Sequence, residues 1–178
     1  MREKLGLVHI YSGDGKGKTT ASIGLTIRAL GCGYKVLFVQ FLKDDNTNEI
    51  KFLSKVDNIE IISGNGGINK FTWTMTQEEL SKVKELMTKR FNDAVEICNT
   101  GKYDLIVFDE IMGAIKTNIL DEELVLEFIK KKSDSLEVVM TGRNPSNELI
   151  EVADYVSEIK KIKHPFDRKI PAREGIER

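Results

Sequence analysis

No segment restricts the fold more than Ser12-Gly13-Asp14-Gly15-Lys16-Gly17-Lys18-Thr19-Thr20, set between an apolar, β-branched run at Leu7–Tyr11 and a run of helical period at Thr19–Leu30. A strand that feeds a glycine-rich turn opening directly into a helix is the setting of a phosphate-binding P-loop. Glycines let the backbone wrap with its N–H groups inward, and the helix N-terminus adds positive potential where phosphates would lie. Gly13, Asp14, Gly15, Lys16, Gly17, Lys18, Thr19 and Thr20 are therefore the candidate nucleotide-binding positions. The Lys18 ammonium would act as a point charge on the phosphates and the Thr19 hydroxyl as a ligand to Mg²⁺. Ser12 stands where the usual pattern has glycine, so the loop is a variant in which Gly13 and Gly15 supply the flexibility.

Downstream, short apolar runs alternate with longer helical ones, the signature of βαβ units and a parallel sheet. The expected strands are Leu7–Tyr11, Val36–Phe41, Ile59–Ile62, Leu105–Phe108, Glu137–Met140 and Tyr155–Ile159. Several are unbroken apolar runs, as expected of strands covered by helices on both faces. Thr76 with Glu79 reads as a capping box, behind which Leu80, Val83, Met87, Phe91, Ala94 and Cys98 form one apolar stripe. Asp121 is placed to cap a helix through Ile129, and Asn144-Pro145 reads as an N-cap followed by proline at the first helical position. The expected architecture is α/β: one domain over residues 1–178, with a doubly wound, mostly parallel sheet and helices on both faces.

Leu105-Ile106-Val107-Phe108-Asp109-Glu110 is an apolar strand ending in two acids. Beside a P-loop, a carboxylate in that place lies next to the Mg²⁺ site, directly or through water, so Asp109 and Glu110 join Thr19 as candidate metal residues. Thr141-Gly142-Arg143 ends a further strand and brings Arg143 to the carboxyl edge of the sheet, where α/β proteins bind ligands. An arginine there fits either a fork on phosphate oxygens or a surface ion pair. His9, inside a strand, and His164 lack the partners of a metal cluster or a triad.

A formal net charge of −1 and a pI near 6.2 argue against a nucleic-acid partner, and Lys130–Lys132 and Lys160-Lys161 read as solvated faces. Cys32 and Cys98 have no metal-like spacing and are expected to be inert, partly buried thiols without a disulfide. With no apolar leader and no membrane-length stretch, a cytoplasmic location is expected, with no membrane partner.

The chain also carries, in order, Val39-Gln40-Phe41-Leu42-Lys43, Phe71-Thr72-Trp73, Asp109-Glu110, Thr141-Gly142-Arg143, Lys163-His164-Pro165-Phe166 and Ala172-Arg173-Glu174-Gly175-Ile176-Glu177. With the P-loop, these resemble the ATP:corrinoid adenosyltransferases over nearly the whole chain. The P-loop is generic, whereas the Phe-Thr-Trp segment and the tail are specific to that family. The resemblance implies a RecA-like P-loop fold and transfer of the 5′-deoxyadenosyl group of ATP to Co(I) of a corrinoid, with release of triphosphate. It implies ATP lying in the loop the opposite way round from ordinary ATPases, so that the loop cradles a leaving group. Lys18 and Glu110 become the catalytic candidates, with Mg²⁺ on Thr19 and Glu110. Phe71 and Trp73 match an aromatic pair that closes the lower face of the corrin and eases reduction of Co(II) by excluding its axial ligand. It further implies a role in adenosylcobalamin biosynthesis or salvage, a homodimer, and a flavoprotein electron donor. Some relatives carry an N-terminal helical extension over the site; only a few residues precede the first strand here, so corrin cover is expected from the aromatic loop or a partner subunit.

A P-loop ATPase or kinase would instead use water or a hydroxyl as nucleophile and release ADP, and no acceptor-binding constellation stands out for it. A RecA-like nucleic-acid module would need a basic surface. A corrinoid carrier or sensor would keep the aromatics without needing Lys18 and Thr19.

Overall fold

The computed structural model describes residues 5–42, 47–64 and 74–177. In chain order the elements are β1 (Val8–Ser12), α1 (Lys18–Gly31), β2 (Val36–Gln40), α2 (Asn48–Leu53), β3 (Ile59–Ile62), α3 (Gln77–Asn99), β4 (Leu105–Asp109), α4 (Ile111–Lys116), α5 (Glu122–Lys131), β5 (Glu137–Thr141), α6 (Asn147–Glu151) and β6 (Tyr155–Glu158). A 3₁₀ turn over Pro165–Arg168 follows. The strands form one six-stranded sheet in the order β3-β2-β4-β5-β1-β6, and each pairing is parallel.

Alternation along the strands sends side chains to two separate cores. Ile10, Leu37, Val39, Ile106, Phe108, Val138 and Met140 pack with Val83, Met87 and Phe91 of α3 and with Val125 and Phe128 of α5. Val36, Phe38, Leu105, Val107 and Val139 face the other way, toward Ala29 of α1 and Ile50 of α2. Both faces are thus covered, which is why β2 and β4 are buried at every position and read as continuous apolar runs.

The long α3 starts at the expected capping box: Thr76 Oγ1 accepts from Glu79 N, and Glu79 Oε2 accepts from Thr76 N. Asp121 caps α5 through Glu123 N. At α6 the expectation fails. Ser146, not Asn144, is the cap, accepting from Leu149 N, while Asn144 takes a left-handed conformation at φ 53°. Asparagine tolerates that region and serves the turn, which leaves the cap to the next hydroxyl. Two short helices, α2 and α4, are absent from the sequence-based expectations; at six residues each they are too brief to show a period.

Cys98 is buried and its thiol is pushed up to about 12 by burial, whereas Cys32 is exposed, contrary to expectation. Lys132 is not solvated like its neighbours, since Nζ donates to Gly6 O and burial lowers its pKa. His9 is a satisfied strand histidine, 2.6 Å from Glu137 Oε1 and stacked on Tyr155. Glu137 Oε2 accepts from Gly6 N and Leu7 N, so one carboxylate pins the start of β1. Burial pushes the Glu137 carboxyl up, but His9 and the two N–H donors outweigh it and hold it below its ordinary value. Glu137→Ala should therefore lower stability by about 1–3 kcal/mol in urea unfolding near neutral pH. The folded pKa is depressed, so this contribution is present above the ordinary carboxylate value. The gap from wild type should close as pH falls through the lowered value.

Candidate active site

The site lies where the carboxyl ends of the central strands meet the N-terminus of α1. Gly13 and Gly17 hold φ of 108° and 124°, and a Cβ on Gly13 would stand 2.3 Å from Ile159 O. The loop is therefore packed backbone against backbone: Gly15 N donates to Ile159 O at 2.8 Å, and Asp14 Oδ1 accepts from Lys161 N at 3.0 Å. Gly13 and Gly15 give close approach to the segment after β6, in addition to turn geometry.

Around this loop is a cavity of about 500 Å³, within the roughly 300–1,000 Å³ typical of ligand sites. Residues 14–20 form its floor, with Ile23 of α1, Glu110, Arg143 and His164 around them. Asn48 and Glu49 at the start of α2, and Gly175, Ile176 and Glu177 of the tail, complete the wall. Lys18 is buried and donates one ammonium hydrogen to Gly15 O at 2.8 Å. Desolvation lowers its pKa, partly offset by the Glu110 charge and reinforced by Arg143. Arg143 is exposed and lines the cavity.

The neighbouring acids separate cleanly. Asp109 is fully buried: Oδ1 accepts from Thr19 Oγ1 at 2.9 Å and Thr141 Oγ1 at 2.8 Å, and Oδ2 accepts from Gln40 Nε2 at 3.2 Å. Glu110 lines the cavity and caps α4 from a left-handed conformation at φ 60°, its N–H donating to Thr141 Oγ1 at 2.9 Å. A non-glycine residue in that region is strained, and such strain gathers at functional sites. The strand-to-helix break at Glu110 turns consecutive carboxylates in different directions, one into the protein and one into the cavity.

His164 caps the 3₁₀ turn, its Nδ1 accepting from Phe166 N at 3.1 Å. Behind it the tail is fixed by Arg173, which donates to both carboxylate oxygens of Glu177. Arg173, backed by Lys16, holds the Glu177 carboxyl down at about 2. Phe71 and Trp73 lie outside the described residues. Among the described residues there is no group of three or more His, Cys, Asp and Glu placed to hold a metal. Magnesium does not need one, since it commonly uses one or two carboxylates together with substrate phosphates. The oxygen donors on hand, a hydroxyl and a carboxylate, suit that hard cation. Nor is any helix among the described residues long and apolar enough to cross a membrane.

Sequence reasoning missed Asn48 and Glu49, which a six-residue helix brings to the site, and Arg90. Arg90 stands three residues after Met87 and four before Ala94, on the apolar stripe of α3, where a buried arginine is anomalous. That position was the available signal.

The family model for ATP:corrinoid adenosyltransferase BtuR/CobO/CobP matches residues 4–178. The chain belongs to that family. It is 34% identical to a corrinoid adenosyltransferase of Sinorhizobium sp. over 98% of this chain and 81% of the relative. Identity is 33% to one of Pseudomonas aeruginosa, covering 99% of this chain and 85% of the relative. For the corrinoid adenosyltransferase of Escherichia coli K12 it is 29%, over 99% and 87%. As a family member this chain is an enzyme of ATP-dependent corrinoid adenosylation, on a P-loop NTPase-like fold.

Proposed function

We propose that the cavity holds ATP with its triphosphate in the P-loop and that the 5′-deoxyadenosyl group passes from it to Co(I) of a bound corrinoid. The electron pair of Co(I) attacks the 5′-carbon, the C5′–O bond breaks, and its electrons leave with inorganic triphosphate. The observation that carries this assignment is the convergence of Lys18, Thr19, Glu110 and Arg143 on one loop-floored cavity. The nucleophile of this reaction is the corrinoid's Co(I) and not a side chain. The chain supplies a cation for the leaving group: the Lys18 ammonium lies at the floor of the cavity, where negative charge would grow on the triphosphate.

Thr19 and Glu110, which both line the cavity, would hold Mg²⁺. Thr19 gives its hydroxyl hydrogen to Asp109, so the oxygen lone pairs are the part of that group a metal can use. Asp109 already accepts three side-chain donors and serves as the support for Thr19, while Glu110 offers the carboxylate on the cavity side. When bound, the ion would neutralise charge on the triphosphate. Arg143 supplies a second cation for the same oxygens.

Phe71 and Trp73 are assigned to the lower face of the corrin on the family resemblance. A flavoprotein that delivers the electron for Co(II) reduction, a homodimer and a cytoplasmic location complete the proposal. Tyr155, Val156, Ile162 and Phe166, exposed along β6 and the segment after it, are a surface chemically suited to such contacts.

The test is an anaerobic assay with ATP, Mg²⁺ and chemically reduced Co(I) corrinoid, read by absorbance and by chromatography of the phosphate products. A light-sensitive cobalt–carbon product with one triphosphate per turnover is expected. ADP with unchanged corrinoid would overturn the assignment.

A further inference from the structure

Gln40 ends β2 directly beside Asp109 at the end of β4, the two being register partners in the parallel pair. Their side chains fall on the same face as Thr141 at the end of β5, and all three are fully buried. A polar row thus crosses the carboxyl edge of an otherwise apolar sheet, with Asp109 in the middle. Gln40 Nε2 donates to Oδ2, while Thr141 and Thr19 donate to Oδ1. Gln40 itself is held from behind. Arg90 of α3 donates Nη1 to Gln40 O at 2.6 Å and Nη2 to the carbonyls of Ser63 and Gly64, tying the end of β2 to the segment after β3.

One detail sets the Gln40 side chain apart from a purely stabilising group. Its Oε1 is buried and has no hydrogen-bond partner among the described residues. Turning the amide over would satisfy nothing, because it would set the carbonyl oxygen against the Asp109 carboxylate. A methionine of similar length would remove that orphan acceptor and pack against the same apolar neighbours. Instead the position holds a glutamine whose one side-chain hydrogen bond among the described residues is to the carboxylate that holds Thr19.

From this geometry we infer that Gln40 is a positioning residue for adenosyl transfer: its amide orients the Asp109 carboxylate, which sets the Thr19 hydroxyl at the phosphate end of the cavity. This rests on the magnesium site proposed above. It assigns a task to a residue at the last position of β2 and outside the cavity wall.

The experiment compares wild type, Gln40→Met and the reversed pair Gln40→Glu with Asp109→Asn. For each, kcat, half-saturating Mg²⁺, corrinoid KM at saturating Mg²⁺ and thermal unfolding are measured with preformed Co(I). In Gln40→Met we expect half-saturating Mg²⁺ to rise by about 10-fold, the low end of the effect of losing a partner behind a metal ligand, because Gln40 stands one contact further back. Corrinoid KM and the unfolding midpoint should stay near wild type, which a general packing defect would not allow. The reversed pair keeps one charge and one amide-to-carboxylate bond, with the new amide oxygen at position 109 still accepting from both threonines, and should bind Mg²⁺ better than Gln40→Met. Wild-type Mg²⁺ dependence in Gln40→Met, or a loss that tracks only unfolding or corrinoid KM, would overturn the role. So would a reversed pair no better than Gln40→Met. If wild type itself turns over in chelator, the magnesium site fails, and this inference fails with it, in an arm that involves no variant. Should Gln40→Met not fold, the reversed pair against Asp109→Asn alone decides the matter, since only the pair restores a carboxylate in the row and its charged bond to an amide.

Discussion

Lys18→Ala is expected to lower kcat for adenosyl transfer by about 10²–10³-fold, measured with preformed Co(I) corrinoid so that reduction does not limit the rate. The ammonium is buried at the floor of the cavity and commits one of its hydrogens to the loop carbonyl of Gly15. On the proposed mechanism its charge, in a partly desolvated site, would act with little screening on the departing triphosphate, whose charge grows as the C5′–O bond lengthens. The contact is therefore stronger in the transition state than in bound ATP, and the loss should fall on kcat more than on the ATP KM. Lys18→Arg should not rescue, because a planar fork cannot occupy the space of a compact ammonium inside a closed loop. A variant retaining full kcat would remove Lys18 from the chemistry.

Glu110→Gln is expected to cost on the order of 10³-fold in turnover at limiting Mg²⁺, near the upper end for removal of one electrostatic contact at a developing charge. Glutamine keeps the shape and leaves the left-handed backbone as it is, so the loss reports charge and ligation rather than folding. A second effect has a definite sign. Burial lowers the Lys18 pKa, and the Glu110 charge opposes that lowering. Without the charge, Lys18 gives up its proton at a lower pH still. The alkaline limb of kcat/KM for ATP should therefore move to lower pH in Glu110→Gln than in wild type. An unmoved or upward-moving limb would show that Lys18 does not sense Glu110 during turnover.

Much of the scaffold is legible in the chain because its signals are local. Runs such as Leu105–Phe108 and Glu137–Met140 announce parallel strands through continuous apolarity, and each of the six expected strands is present to within a residue or two at its ends. The capping box at Thr76 and the cap at Asp121 need only neighbours three residues away or fewer. Asn144 misleads for the same reason. Asn-Pro is a strong local cap signal, yet the chain must turn off β5 first, and Asn144 is used for that turn. Cys32 and Lys132 differ from expectation because exposure depends on what packs opposite, which no local pattern records.

The sequence by itself determined a P-loop on a parallel α/β sheet, with Lys18 and Thr19 at the helix entrance and two acids at the end of a buried strand. It also carried enough of the family's motifs to place the chain among the corrinoid adenosyltransferases. Glycine conformation, β-branched periodicity and helix capping act over a few residues, so they survive in the linear string. Only the tertiary structure decided that Asp109 turns inward to hold Thr19 while Glu110 turns toward the cavity. It alone joined Gln40, Asp109 and Thr141 into one row, set Arg90 behind them, and laid the tail at Glu177 against the P-loop. These contacts join residues tens of positions apart, and strand order and register, not sequence separation, bring them together.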